Sequence, residues 1–133
     1  MILVDSSVWI DFFASSPGRA GAELRRMTST AEPFALAGII VTEVLQGLTR
    51  DIPRIEAFLS KWPILEPNGI ATYREAASLF RLARSKGVSL STIDTLIAAI
   101  AFEYGAHVFT LDTDFTRLSK LTGLPLYNLP IVI

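Results

Sequence analysis

Four carboxylates stand where a folded chain could bring them together. Asp5 follows the apolar run Ile2-Leu3-Val4, and Asp112 follows Val108 to Leu111; both runs suit short strands buried on both faces. Glu43 and Asp94 each sit near one end of an almost wholly apolar helical stretch, 39–47 and 92–104. Each acid has an ordinary reading as well. Asp5 can cap the helix after it, and Glu43 can face solvent as most glutamates do. Asp94 stands three residues after Ser91, the spacing of a capping box. Asp114, just ahead of Phe115-Thr-Arg-Leu118, reads either as the N-cap of a last helix or as a fifth acid reaching a metal through water. Four clustered carboxylates repel one another unless cations bind or some of them are protonated. The chain has no cysteine and one histidine, His107, placed between a helix end and a strand, where a structural or exposed role is expected. An all-oxygen ligand set suits Mg²⁺ or Mn²⁺. The chemistry of such ions is phosphoryl transfer, with a water activated and a leaving oxygen stabilised.

The elements that would position these acids follow from periodicity. In a parallel βαβ sheet, strand ends and the helices flanking them converge on one edge, where ligands bind. Ser6 and Ser7 are N-cap candidates for a first helix carrying Val8, Trp9 and Phe12. Ser15-Ser-Pro-Gly18 is a loop, and a second helix runs from Arg19 to Thr30. A strand at Phe34–Leu36 leads into the helix that carries Glu43. Pro53 marks the first turn of the next helix, and a third strand covers Trp62–Leu65. Residues 70–86 read as an amphipathic helix with Tyr73, Ala76, Ala77, Phe80 and Ala83 inside. Its Arg74, Arg81 and Arg84 form a stripe that is either a solvated face or a phosphate contact. The helix 92–104 is apolar all round and is expected to be buried. After the strand 108–111 and an amphipathic helix, Pro125 to Leu129 suggests a fifth, edge strand, and Pro130 to Ile133 a tail. The predicted fold is three-layer α/β/α with a central, mostly parallel five-stranded sheet.

The bulk numbers narrow the class. A chain of 133 residues is expected to form one domain, 1–133. Half of it is hydrophobic and the mean hydropathy is +0.43, yet no apolar run reaches the roughly 20 residues of a membrane span. The N-terminus lacks the basic stretch of a signal peptide, and without cysteines there is no disulfide framework, so a cytoplasmic location is expected. With 12 basic against 13 acidic residues, a strongly basic nucleic-acid binder is not indicated. The apolar excess, including Trp9, Phe12, Phe13, Trp62, Phe80, Leu126 and Tyr127, suggests surface covered by a partner or a second copy.

Four stretches then fall into a known pattern. V-D-S-S-V-W-I around Asp5, Thr42-Glu43 with Gly47, S-T-I-D-T-L-I-A-A around Asp94, and T-L-D-T-D-F from Thr110 to Phe115 together resemble a PIN domain. Within that family the match is to the VapC-type toxin ribonucleases of toxin–antitoxin pairs, in the right order and over nearly the whole chain. The resemblance implies a catalytic and metal-binding set of Asp5, Glu43, Asp94 and Asp112, with Ser6 or Ser7 in support. Thr110 and Asp114 are further supporting candidates. It also implies RNA as substrate, a homodimer, and an inhibitory antitoxin whose amphipathic helix packs into an apolar groove and places an arginine in the acidic pocket. The expected reaction is hydrolysis by an activated water, leaving 5′-phosphate and 3′-hydroxyl ends.

Three other readings compete. A phospho-acceptor receiver domain needs a lysine after its last strand, and no Lys or Arg follows Gly123. Asp112-Thr-Asp114-Phe-Thr116 matches the D-x-D-x-T of haloacid-dehalogenase-type phosphatases, but there the motif follows the first strand and most of the fold comes after it. A catalytically inactive PIN-like binding module is the non-enzyme alternative, and the intact acid set speaks against it.

Overall fold

The computed structural model describes residues 1–130, in the order β1 (Ile2–Val4), α1 (Ser6–Phe12), α2 (Arg19–Ser29), β2 (Phe34–Ala37), α3 (Gly38–Gln46), α4 (Ile52–Leu59), β3 (Ile64–Leu65), α5 (Gly69–Ser85), α6 (Thr92–Tyr104), β4 (His107–Phe109) and α7 (Thr113–Thr122). Continuous apolar runs make the strands, and helices join them, so every pairing is parallel. The sheet has four strands in the order β3-β2-β1-β4. The first and last strands of the chain are therefore neighbours, with Val4 opposite Phe109.

The fifth strand does not form. Leu126 makes a single parallel bridge with Val108, through Val108 N–H to Pro125 O and Tyr127 N–H to Val108 O, both at 2.9 Å. A proline has no N–H to give a ladder, and Pro125 and Pro130 bracket the segment. β4 also stops at Phe109 and leaves no longer edge to pair with. The remainder of the expected tail, 131–133, lies outside the described residues.

Trp9 anchors the packing of α1. It is fully buried, with the rings of Phe12, Phe13, Phe34, Phe58 and Trp62 around it at centroid distances of 5.4–6.4 Å. Truncating such a residue to alanine typically costs about 3–5 kcal/mol. α2 is clamped to α1 by one carboxylate: Asp11 accepts the amides of Gly18 at 2.9 Å and Gly21 at 2.7 Å. Gly21 is there because the helices touch. A Cβ on it would lie 2.7 Å from the carbonyl carbon and oxygen of Asp11.

One expected inner face turns outward. Ala76 and Ala83 are buried, but Tyr73 is 51% exposed, Ala77 is exposed and Phe80 is half-buried. With Arg81, Thr92, Thr95 and Leu96 they line an open groove of about 370 Å³ between α5 and α6. The apolar spacing was that of a buried face, but nothing else among the described residues covers it.

Candidate metal centre

Parallel pairing of β1 with β4 sets the first pair of site residues. Val4 and Phe109 are in register, Asp5 N–H bonds Phe109 O at 2.9 Å, and the next residues on each side are Asp5 and Thr110. Asp5 occupies the N-cap position of α1 but its side chain makes no capping bond. Its Oδ2 instead accepts the hydroxyls of Ser7 at 2.8 Å and Thr110 at 2.9 Å. The serines are thus not the caps that the sequence suggested. They are the first two residues of α1, and each holds an acid: Ser7 holds Asp5, and Ser6 Oγ donates to Glu43 Oε1 at 3.1 Å.

Glu43 projects from α3, which starts directly at the end of β2. Burial raises its pKa, the Ser6 hydrogen bond lowers it, and the negative charges of Asp5 and Asp94 raise it again. Asp94 lies in the first turn of α6 and closes a complete capping box with Ser91. Its amide donates to Ser91 Oγ at 3.1 Å, and its Oδ2 accepts the Ser91 amide at 3.2 Å. Its pKa is also raised, chiefly by burial, with Asp112 and Asp114 adding repulsion against the opposing Ser91 bonds. These influences link the acids in one field, in which Glu43 feels Asp5 and Asp94, and Asp94 feels Asp112 and Asp114.

The β4 side differs from expectation in one detail. The N-cap of α7 is Asp112, whose Oδ1 accepts the Asp114 amide at 2.9 Å. Asp114 is the second residue of the helix, ion-paired with Arg117 at 2.5 Å. Because β4 ends at Phe109, Thr110 and Leu111 form the approach to the cap, and Asp112 does both jobs, capping the helix and facing the acids. Oxygens of Asp94, Asp112 and Asp114 lie within 4.8 Å of one another, a grouping that could hold a metal ion. Sequence reasoning undervalued Asp114; an acid at an N-cap and another two residues on lie at the same helix end, and that spacing was the available signal. It also missed the amides of Leu111 and Asp112, which donate to Ser7 Oγ and Thr110 Oγ1, each at 3.0 Å.

The residues fit a hard divalent cation. The donors are all carboxylate oxygens. Among the described residues no Lys or Arg pairs with Asp5, Glu43, Asp94 or Asp112. Their charge has no internal counter-ion. His107 is exposed, takes no part, and carries no site role.

Comparison with known proteins gives a consistent picture. The family model described as PIN domain matches residues 2–121. Ribonuclease VapC11 of Mycobacterium tuberculosis is 34% identical over 128 residues, covering 93% of this chain and 96% of that protein. The crystal structure of VapBC2 from Rickettsia felis, bound to a promoter DNA fragment, aligns with a TM-score of 0.76 at 20% identity, over 98% of this chain and 100% of that chain. A toxin–antitoxin complex from Klebsiella pneumoniae aligns with a TM-score of 0.72 at 24% identity, over 99% and 100%. At those identities the two structures speak for the fold.

Proposed function

The chain belongs to the PIN-domain family and to its VapC-type branch, and from that premise we propose that it is a single-domain, Mg²⁺- or Mn²⁺-dependent endoribonuclease, the toxin of a type II toxin–antitoxin pair. The observation that carries the reading is the gathering of Asp94, Asp112 and Asp114 oxygens within 4.8 Å of one another, with Asp5 and Glu43 as further acids without a cationic partner among the described residues, at the carboxyl edge of a parallel sheet. Asp5, Glu43, Asp94 and Asp112 would hold the ion, with Asp114 beside them. A bound divalent cation supplies water activation and offsets charge on the leaving oxygen. The chain supplies the rest. The Ser6, Ser7, Ser91 and Thr110 bonds orient the acids before substrate arrives. Glu43, tied by Ser6 to α1, is placed to offer its second oxygen to the ion. The substrate 2′-hydroxyl is not the nucleophile, so preference for RNA resides in binding, and the products carry 5′-phosphate and 3′-hydroxyl ends.

Partners follow the same premise. The Klebsiella neighbour is a toxin–antitoxin complex and the Rickettsia one a VapBC assembly, which supports an antitoxin partner here. Its amphipathic helix would enter an apolar groove and place an arginine among the acids. The exposed apolar face of α5 supports a homodimer. Among the described residues no helix is long and apolar enough to cross a membrane, which is compatible with the cytoplasmic location proposed.

Purified protein incubated with a total RNA pool, with and without EDTA, tests the activity once the ends are mapped. Metal-dependent cuts with 5′-phosphate ends are expected. Cleavage that survives EDTA, or 2′,3′-cyclic ends, would overturn the mechanism, and binding without any cleavage would favour the inactive module. Light scattering that finds only monomer at high concentration would remove the dimer.

A further inference from the structure

We propose that Ser7 and Thr110 are positioning residues that make Asp5 a one-oxygen ligand, and that this clamp biases the site toward Mg²⁺ over Ca²⁺. The inference rests on reading the acids as a cation site. Asp5 Oδ2 receives two hydroxyls, Ser7 Oγ at 2.8 Å and Thr110 Oγ1 at 2.9 Å. The direction of both bonds is fixed from behind. The Leu111 amide donates to Ser7 Oγ and the Asp112 amide to Thr110 Oγ1, each at 3.0 Å. An amide cannot accept, so each hydroxyl turns its single proton to the carboxylate. The two hydroxyl oxygens lie 3.4 Å apart. With both protons spent on Asp5, that approach is a contact and not a third bond.

Oδ2 is therefore committed and Oδ1 is not. Asp5 is 5% exposed, so an uncompensated, shut-in oxygen would be costly. Yet the one shut-in side-chain polar atom without a partner among the described residues is Trp9 Nε1. Asp5 Oδ1 is therefore not shut in. Rotating the carboxylate to present both oxygens would break two hydrogen bonds at once.

The other acids follow the same pattern. Glu43 uses Oε1 for Ser6, Asp94 uses Oδ2 for the Ser91 amide, and Asp112 uses Oδ1 for the Asp114 amide. Asp114 uses Oδ1 for Arg117. Among the described residues each has one oxygen engaged and one open. Ca²⁺ takes six to eight oxygens and favours bidentate carboxylates, whereas Mg²⁺ demands a compact octahedron with one oxygen from each ligand. A set of half-engaged carboxylates suits the second ion. Asp5 and Glu43 are engaged by side-chain hydroxyls alone, and Asp5 is the one held by two of them, which substitution can release.

Isothermal titration of chelator-stripped protein with MgCl₂ and with CaCl₂, without RNA, tests this directly. Removing such outer partners commonly costs about 10–100-fold in metal affinity. Ser7→Ala combined with Thr110→Val should weaken Mg²⁺ by about tenfold or more, and Ca²⁺ less, so that the Mg²⁺-to-Ca²⁺ affinity ratio falls. Thr110→Ser, which keeps the hydroxyl, should retain the wild-type ratio. A merely structural role would lower both affinities together in step with melting temperature; an unchanged ratio therefore overturns the proposal. Asp5→Asn is the control, and unchanged affinities in that variant would sink the cation-site reading itself.

Discussion

Ser6 Oγ stands 3.1 Å from Glu43 Oε1 and ties the first residue of α1 to the middle of α3 across the site. That bond is the one influence that lowers the pKa of Glu43, against burial and two neighbouring charges that raise it. Ser6→Ala should push the pKa further up. A carboxyl-carbon NMR titration should show Glu43 taking up its proton at higher pH than in wild type. Cleavage should lose its acidic limb earlier. A shift to lower pH would contradict this account.

The metal-free protein should show the cost of its acids in its stability. Glu43 and Asp94 bind protons more tightly folded than unfolded. The stability they contribute is full below the ordinary carboxylate range and is lost as pH rises through their raised folded values. In EDTA, Glu43→Gln should melt above wild type at neutral pH, and the gap should close on mild acidification. Millimolar Mn²⁺ should raise the wild-type melting temperature and raise it less for Asp5→Asn, as expected for a ligand bound only by the folded state. Equal rises in both would mean that Asp5 does not share the ion.

Asp112 and Asp114 should separate cleanly. Asp112→Ala removes the cap of α7 and should cost about 0.5–2 kcal/mol along with activity, while Asp112→Asn should melt nearly as wild type and still lose most cleavage. Asp114→Ala gives up a half-exposed i,i+3 ion pair with Arg117, a loss of roughly 0.3–0.5 kcal/mol. Its effect should appear as weaker Mn²⁺ binding. If Asp114→Ala destabilised as much as Asp112→Ala, the cap would be misassigned.

Gly21→Ala should destabilise although alanine is the better helix former. The new methyl would meet the Asp11 backbone at 2.7 Å, and overpacking of this kind costs about 1–3 kcal/mol. Urea denaturation should show the loss. A neutral or stabilising result would mean that α1 and α2 can move apart freely.

The acids were legible because an aspartate after a buried apolar run, and an acid on a helix otherwise apolar, are local statements. The parallel sheet was legible for the same reason. What was not legible depends on which partner a small polar group chooses. Ser6 and Ser7 have the chemistry of caps, and only the register of β1 with β4 and the approach of α3 turn their hydroxyls to Glu43 and Asp5. Asp112 and Asp114 compete for one cap, and the choice is settled by where β4 stops. The spacing of Tyr73, Ala77 and Phe80 correctly marked an apolar face, but periodicity does not say whether this chain or another covers it. Leu126 had strand character without a free edge long enough to use it.

The hydrogen bond from Thr110 to Asp5 closes a separation of 105 residues. Asp5 is therefore made well before its partner Thr110. A nascent chain that has made β1, α1 and α3 holds Asp5 and Glu43 but lacks Asp94, Asp112 and β4, the strand that docks beside β1. At translation rates of about 5–20 residues per second, that gap lasts roughly 3–13 seconds. A chain stalled before α6 then carries only two of the four acids proposed to hold the ion, and the proposed site exists only in molecules whose synthesis has passed Asp112.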